Sequence, residues 1–288
     1  MKSLREDFNK HLTNNVIIRL DYVPLPDDKV DIINNKIAEM LLVENNFFSD
    51  TKQTLMRNID IQMNDPSIQD FNEFINVKEK SKIKSYEYYK YNENKDIEIK
   101  LIFNRQFCAI DINQIVKYYK FEYYRDIFWK VLNIIIDNKV IINRFGLRKF
   151  NDFFLKQYSK IDEYVKEKYF NLECDDLLES SDSFISEKRY TFARGDENVN
   201  LITHSSIGTM DNDVVKRVAF DIDIYVTDIK KLNDVFSNNN TEFINEINNL
   251  LFDIYLNLLT DKMIDILKKE NDLNDENIIC GVDYNENK

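Results

Sequence analysis

The sequence predicts an α+β fold of two similar halves, each an antiparallel β-meander packed on a long helix. Short runs that alternate apolar and polar residues, typical of half-buried strands, come in consecutive groups. Each group precedes a segment whose apolar residues are three and four apart, as in an amphipathic helix. The same order of elements recurs after about 100 residues, a period too long for a solenoid repeat. Hydrophobic residues form 43% of the chain, which is ample for a packed core.

The first half begins with a predicted strand over 16–22, which Pro24 and Pro26 end. Asp27 and Asp28 then start a helix with a single apolar stripe, and a second strand follows over 55–63.

A meander completes the first half. Three strands are predicted over 83–91, 97–103 and 108–112, with polar turns between them. A helix over 121–135 and a strand over 140–148 follow.

The second half repeats this order. Strands are predicted over 184–193, 199–205 and 214–226, and one long helix carries apolar residues from Phe243 to Ile266. Asn239 or Thr241 is the expected cap of that helix.

Short segments of the two halves also match in type. Residues 89–91 parallel 190–192, and 109–112 parallel 219–222. These matches predict an internal duplication with two antiparallel sheets. Chance similarity between two amphipathic meanders is the alternative.

Composition places the predicted boundaries. The halves span 1–158 and 184–270, and a polar, acidic segment over 159–183 is expected to be a helical connector. The acidic, asparagine-rich tail over 271–288 is expected to be loose.

The charge balance bears on partners. Lys and Arg number 39 against 51 Asp and Glu, a formal charge of −12, which repels nucleic-acid phosphates and anionic lipid headgroups. The sequence therefore disfavours nucleic acid and favours a protein partner with a basic surface, and it leaves a homo-oligomer open.

A cytoplasmic location is expected. The N-terminus has no apolar signal core, and no apolar run has the length of a transmembrane helix. The three cysteines, Cys108, Cys174 and Cys280, are too widely spaced for a disulfide framework or a zinc site, which fits a reducing compartment.

One octet carries a family resemblance. Residues 144–151, Arg-Phe-Gly-Leu-Arg-Lys-Phe-Asn, resemble the R-x-G-L-R-x-x-N signature of a sporadically distributed bacterial protein family of uncharacterised activity. Residues 118–129, 220–223 and 250–261 are similar to its aromatic helix, its late D-x-D strand and its C-terminal helix. The resemblance implies a fold and no reaction, and the family's patchy distribution suggests phage or defence loci.

The octet supplies the candidate anion- or partner-binding residues Arg144, Gly146, Arg148 and Asn151. On a strand, Arg144, Gly146 and Arg148 share one face, where two guanidinium groups suit a carboxylate or another anion. The alternative is internal pairing with strand acids, because a buried charge requires a partner. The expected acids are Asp111, Asp221 and Asp223.

The other motifs give little support to a catalytic function. Asp221 and Asp223 share a strand face and are weak candidates for a metal, but no third carboxylate follows on a later strand, as nucleotidyl transfer requires. No nucleophile accompanies His11 or His204, and no phosphate-binding glycine motif is present. The sequence thus predicts no catalytic residues and no cofactor, and Arg194-Gly195-Asp196 is interpreted as a hairpin turn.

Lysines 78, 80, 82 and 84 precede the tyrosines of 86–91, and further tyrosines lie in 118–124. Together they are the candidate surface for stacking and holding nucleic acid. Ordinary sheet formation is the alternative.

The preferred hypothesis is a non-enzymatic protein-interaction protein, a component or antagonist of a bacterial defence system. The rivals are a ligand- or nucleotide-binding protein or enzyme with a pocket between the halves, built on Arg144, Arg148, Asp221 and Asp223, and a nucleic-acid binder using the lysine and tyrosine patch.

Overall fold

The computed structural model describes residues 8, 10–63, 75–170, 184–210, 213–238, 240–268, 278–280 and 282–283. Its main feature is an antiparallel sheet of ten strands, which confirms the α+β class. The strands in chain order are β1 Lys10–His11, β2 Thr13–Tyr22, β3 Asp50–Met63, β4 Ile75–Tyr91, β5 Ile97–Asn104, β6 Phe107–Asn113, β7 Ile142–Lys156, β8 Phe184–Arg194, β9 Glu197–Met210, β10 Asp213–Val226, β11 Ile278–Cys280 and β12 Val282–Asp283.

The large sheet has the order β3-β4-β5-β6-β2-β7-β10-β9-β8, with β11 on one end of β7. A two-stranded sheet pairs β1 with β12. The strands predicted from alternation lie within these elements except the one over 140–148, because β7 begins two residues later, at Ile142, and continues eight residues beyond Arg148, to Lys156.

The sequence predicted two antiparallel sheets, but the strands of both belong to one large sheet. β10 of the expected second half pairs with β7 of the expected first half in antiparallel register from Val215↔Lys156 to Val226↔Phe145, which joins the strands of both halves. The pairing removes two exposed edges, whose unpaired N–H and C=O groups would otherwise face solvent.

Five α-helices are described: α1 Asp27–Ala38, α2 Phe121–Asp137, α3 Ile229–Ser237, α4 Glu242–Leu258 and α5 Asp261–Lys268. α1 continues as a π-helix over Glu39–Glu44. None of the helices in the described segments has both the length and the apolar character needed to cross a membrane.

The prediction of one long C-terminal helix is wrong in one respect, because the segment forms two helices, α4 and α5, with a break between them. Leu259 is extended and bridges to Val165, and the Thr260 hydroxyl accepts a hydrogen bond from the Met263 N–H (3.3 Å), which begins α5. The expected cap of α4 is also wrong for Thr241, whose side chain makes no capping bond; Asn240 accepts from the Glu242 N–H instead. Asn239 lies outside the described residues.

The connector differs from the expected helix where it is described. Residues 159–170 form two 3₁₀ turns, Ile161–Glu163 and Glu167–Tyr169, and 171–183 lie outside the described residues. Ile161, Tyr164 and Val165 are fully buried. The positions of the apolar residues in this segment are therefore set by contacts with the core, and they do not form one face of a helix.

The tail was expected to be loose, but two pieces of it form strands. β11 pairs with Phe154 and Leu155, beyond the part of β7 that β2 reaches, and so satisfies backbone groups left there. The remaining tail residues, 271–277, 281 and 284–288, lie outside the described part.

One face of the sheet joins a single hydrophobic cluster with the helices. Phe145 of β7 lies 5.5 Å from Phe243 of α4, and Phe220 of β10 lies 5.7 Å from Tyr255, measured between ring centroids. Side chains of the alternate positions point to the other face, on which the candidate arginines lie.

Candidate functional site

The second face of the sheet carries a set of charged side chains from six neighbouring strands, which we call the open face. Its charged members and the glycine between them are Glu87, Lys100, Asp111, Arg19, Asp21, Arg144, Gly146, Arg148, Asp152, Arg217, Asp221 and Asp223. Among the described residues, the hydrogen bonds and ion pairs of these charged side chains run mainly across the strands of this same face.

Arg144 lies at the centre of the open face. It donates to Asp21 of β2 (3.2 Å) and to Asp223 of β10 (3.3 Å), so it spans three adjacent strands. Its guanidinium lies over the Tyr225 ring, 4.8 Å from the centroid. These contacts fix both its position and its orientation.

Gly146 provides the space for this arrangement. A Cβ at this position would lie 3.4 Å from a terminal nitrogen of Arg144 and 3.6 Å from the Cβ of Tyr225. The group that approaches the glycine backbone is therefore the Arg144 guanidinium of the same strand.

Arg148 pairs with Asp221 of the neighbouring strand. Its Nε lies 2.8 and 3.0 Å from the two carboxylate oxygens, and a terminal nitrogen also donates to Asp221. This fork raises the pKa of Arg148 above its ordinary value. Burial raises the pKa of Asp223, against the opposing effect of Arg144 and Arg148.

Two of the three acids expected for internal pairing thus contact the arginines. The third, Asp111, accepts a hydrogen bond from Asn15. Burial raises the pKa of Asp111.

Three further pairs extend the same pattern along the sheet. Arg217 donates to Asp152, Arg19 donates to Asp21 from above the Phe107 ring, and Lys100 lies 3.0 Å from Glu87. None of these pairs was singled out from the sequence. The register of the strands brings Arg217 to Asp152 and Lys100 to Glu87, whereas Arg19 and Asp21 lie two residues apart on β2. Alternating charge on the predicted strands was the available signal.

In each of these ion pairs the carboxylate is less exposed than the cationic group. The side chain of Asp221 is 11% exposed against 50% for Arg148, and that of Asp152 is 6% exposed against 38% for Arg217. The same order holds in the pairs made by Arg144, Arg19 and Lys100. The open face therefore has carboxylates near the sheet and cationic groups toward solvent.

Asn151, the last candidate of the octet, lies on the opposite face. It is fully buried, accepts from the Thr13 hydroxyl (2.8 Å) and donates to the Phe220 carbonyl (3.2 Å). It bridges β2 and β10 across β7, whereas Arg144, Gly146 and Arg148 come together on the open face.

The remaining candidates are placed separately. Asp221 and Asp223 share the open face with their arginines, and the described residues contain no group of three or more metal-ligating side chains. His11 is buried near α2, and His204 lies on β9, so the two histidines do not form one site. The Arg194-Gly195-Asp196 segment is the turn between β8 and β9, where Gly195 has φ +68°.

Among the three cysteines, the structure describes the side chain of Cys108. Cys108 is a free thiol, and its burial raises its pKa. Cys174 and the side chain of Cys280 lie outside the described residues.

The lysine and tyrosine patch is divided between the two faces. Lys84 and Tyr86 contact Asp31 of α1, whereas Tyr89 contacts Glu87 on the open face. Lys78, Lys80 and Lys82 have side chains outside the described residues. In the described part, the tyrosines therefore do not form one stacking surface.

A cavity of about 770 Å³ lies on the helix side of the sheet. Lys149 and Asn151 line it, together with residues of α2 and α4. Arg144, Arg148, Asp221 and Asp223, the residues expected to build a pocket between the halves, do not line this cavity.

No family model and no curated protein matches the chain. Among solved structures, S. pombe Pct1 RNA triphosphatase in complex with the Spt5 CTD has a TM-score of 0.15 and 7% identity, over 91% of this chain and 88% of that chain. This likeness is too low to carry an argument about fold or function.

Proposed function

We propose that this chain is a non-enzymatic protein-interaction protein and that its open face is the surface that receives the partner. The observation that carries the proposal is the depth order of the ion pairs, with carboxylates beneath and cationic groups outward. Carboxylates that already hold the arginines in place leave them oriented toward solvent, where they can donate to a second carboxylate.

The preferred partner differs from the one that net charge favoured. A formal charge of −12 favours a basic protein, but the outer groups of the open face are Arg19, Arg148, Arg217 and Lys100. These groups suit an acidic protein segment. A role in a bacterial defence system, as component or antagonist, rests on the family resemblance alone.

Internal duplication is part of the proposal. The proposed repeat moves β7 from the first half, where the sequence analysis placed it, to the start of the second half. In each half the opening strand then lies beside the last strand of the meander, β2 beside β6 and β7 beside β10. The two opening strands pair with each other at the centre, as a pseudo-twofold arrangement requires.

Arg19→Gln tests the open face, because Arg19 is well exposed and because Asp21 still pairs with Arg144 when Arg19 is replaced. Lys36→Gln on α1, away from the open face, is the matched control. The wild-type chain and each variant are used for affinity capture from the native host after nuclease treatment. We expect an acidic protein to be retained by wild type and by Lys36→Gln, and to be lost with Arg19→Gln.

Equal capture by Arg19→Gln would contradict the proposed surface. Retention of nucleic acid in place of protein, when nuclease is omitted, would contradict the proposed class of partner. Turnover of a small substrate by the purified chain would contradict the non-enzymatic function.

A further inference from the structure

The cavity between α2 and α4 has a polar interior. On the buried stripe of α4, Asn248 is 1% exposed and accepts from the Lys149 ammonium at 2.8 Å. An amide at a fully buried helix position is costly unless its groups are hydrogen-bonded. In this case it holds a cationic group of β7 at the cavity wall.

Two more amides of α4 face the same space. Asn245 and Asn249 line the cavity, and Asn245 accepts from Arg125 of α2 (2.8 Å). Amide side chains offer a donor and an acceptor on one edge, which matches the edge of a heteroaromatic ring.

Aromatic side chains form much of the remaining wall. The Tyr118 ring lies against the His11 ring at a tilt of 33°, with centroids 4.6 Å apart, and the Phe121 ring centroid lies 5.8 Å from the Lys149 ammonium. Phe252 stacks on Tyr255 further along α4. Such surfaces favour a flat ring by stacking and by burial of apolar area.

The charges of the lining are arranged by depth. The two acids, Glu122 and Glu242, are exposed, while Lys149 is half-buried. Burial lowers the pKa of His11 to about 4, so that histidine is neutral at neutral pH. Arg125, whose side chain is 20% exposed and is paired with Asp126, also lines the cavity. Lys149 and Arg125 are therefore the least exposed charges of the lining, and the interior is cationic.

We propose that this cavity binds a small anionic compound with a planar heteroaromatic ring, of the size of a nucleoside monophosphate. The anionic group lies on the Lys149 ammonium, and the ring lies among the aromatic side chains with its edge on the α4 amides. A volume of about 770 Å³ is within the range of ligand sites, about 300–1,000 Å³. The site is distinct from the open face, because it lies on the opposite side of the sheet.

The test measures binding of AMP, GMP, CMP and UMP at millimolar concentration, by thermal shift and by saturation-transfer NMR on the full chain. Inorganic phosphate is the reference anion. We expect at least one nucleotide to raise the unfolding temperature more than phosphate does, with ring protons in contact with the protein.

Two variants locate the site. Lys149→Met removes the charge and is expected to weaken binding about 10- to 100-fold, the range for a hydrogen bond to a charged group. Asn248→Asp keeps the size and the contact to Lys149 but adds a negative charge, and is expected to weaken binding as well. Lys156→Met, at an exposed position at the end of the same strand, is the control and should bind as wild type does.

The proposal is wrong if none of the four nucleotides gives a shift or an NMR contact, or if phosphate alone gives the full effect. It is also wrong if both Lys149→Met and Asn248→Asp bind as wild type does. If Lys149→Met fails to fold, Asn248→Asp alone decides.

Discussion

At Gly146 the absence of a side chain serves an internal contact. The Arg144 guanidinium lies over this position and reaches carboxylates on both neighbouring strands. The sequence analysis interpreted the glycine as room for an approaching group, and that group is part of the protein. A larger side chain would have to displace the guanidinium or the Tyr225 side chain.

Gly146→Ala is expected to change the free energy of unfolding by less than about 1 kcal/mol, because its Cβ would meet Arg144 and Tyr225 at ordinary contact distances and a strand favours a side chain. Gly146→Val adds two methyl groups toward the guanidinium and is expected to cost about 1–3 kcal/mol. Urea titration of both variants checks this. Equal stability of the two variants would show that Arg144 is not held over Gly146.

His11 is a second residue with a defined environment. It is 7% exposed, and burial lowers its pKa from 6.5 to about 4. The unfolded chain therefore takes up a proton before the folded chain does as the pH falls. Stability that is present above pH 6.5 is lost as the pH decreases toward 4.

His11→Gln should remove this dependence. By pH 5 the wild-type chain is expected to lose about 2 kcal/mol through His11 relative to pH 7. The measurement is urea unfolding at pH 7, 6 and 5. His204→Gln is the control, since His204 is more exposed and its pKa is lowered less. A wild-type pH slope in His11→Gln would contradict the assignment.

At the scale of elements, β7 joins the sheet. It pairs with β2 on one side and β10 on the other, while β8 is an edge strand. Leu147 of β7 is fully buried, and Ile185 of β8 is 73% exposed. The octet that carries the family resemblance therefore lies in a strand that pairs with three others, β2, β10 and β11.

Leu147→Ala is expected to cost about 2–5 kcal/mol in the free energy of unfolding, from lost burial and a cavity. Ile185→Ala is expected to stay within about 0.5 kcal/mol, as exposed substitutions usually do. Both are read by urea titration. If Ile185→Ala cost as much as Leu147→Ala, β8 would not be the edge of the sheet in solution.

Elements with a clear local pattern were predictable. The strands of 97–104 and 107–113 keep an apolar residue at every second position, on one face, and α2 keeps three- and four-residue spacing. The segment 159–170 was wrongly expected to be helical, because its apolar residues follow tertiary contacts and not a helical period. The sequence analysis did not predict α3, which lies between a strand and a longer helix. Its cap was nevertheless visible in the sequence, since Asp228 accepts a hydrogen bond from the Lys231 N–H.

At the scale of the whole molecule, the sequence indicated that Arg144 and Arg148 either bind a ligand or pair with strand acids, and the structure places them on Asp21, Asp221 and Asp223. Asp21 and the pair Arg217–Asp152 were missed, because register is a tertiary property. The depth order of cations and carboxylates was equally beyond the sequence. It depends on how side chains of six strands crowd one face.

The most direct test of that depth order compares Arg148→Met with Asp221→Asn by urea titration. Arg148→Met leaves a poorly exposed carboxylate without its partner, whereas Asp221→Asn leaves a half-exposed guanidinium that water can reach. We expect Arg148→Met to cost about 2–4 kcal/mol and Asp221→Asn about 1 kcal/mol in the free energy of unfolding. Equal costs, or a larger cost for Asp221→Asn, would contradict an open face with buried carboxylates and outward cationic groups.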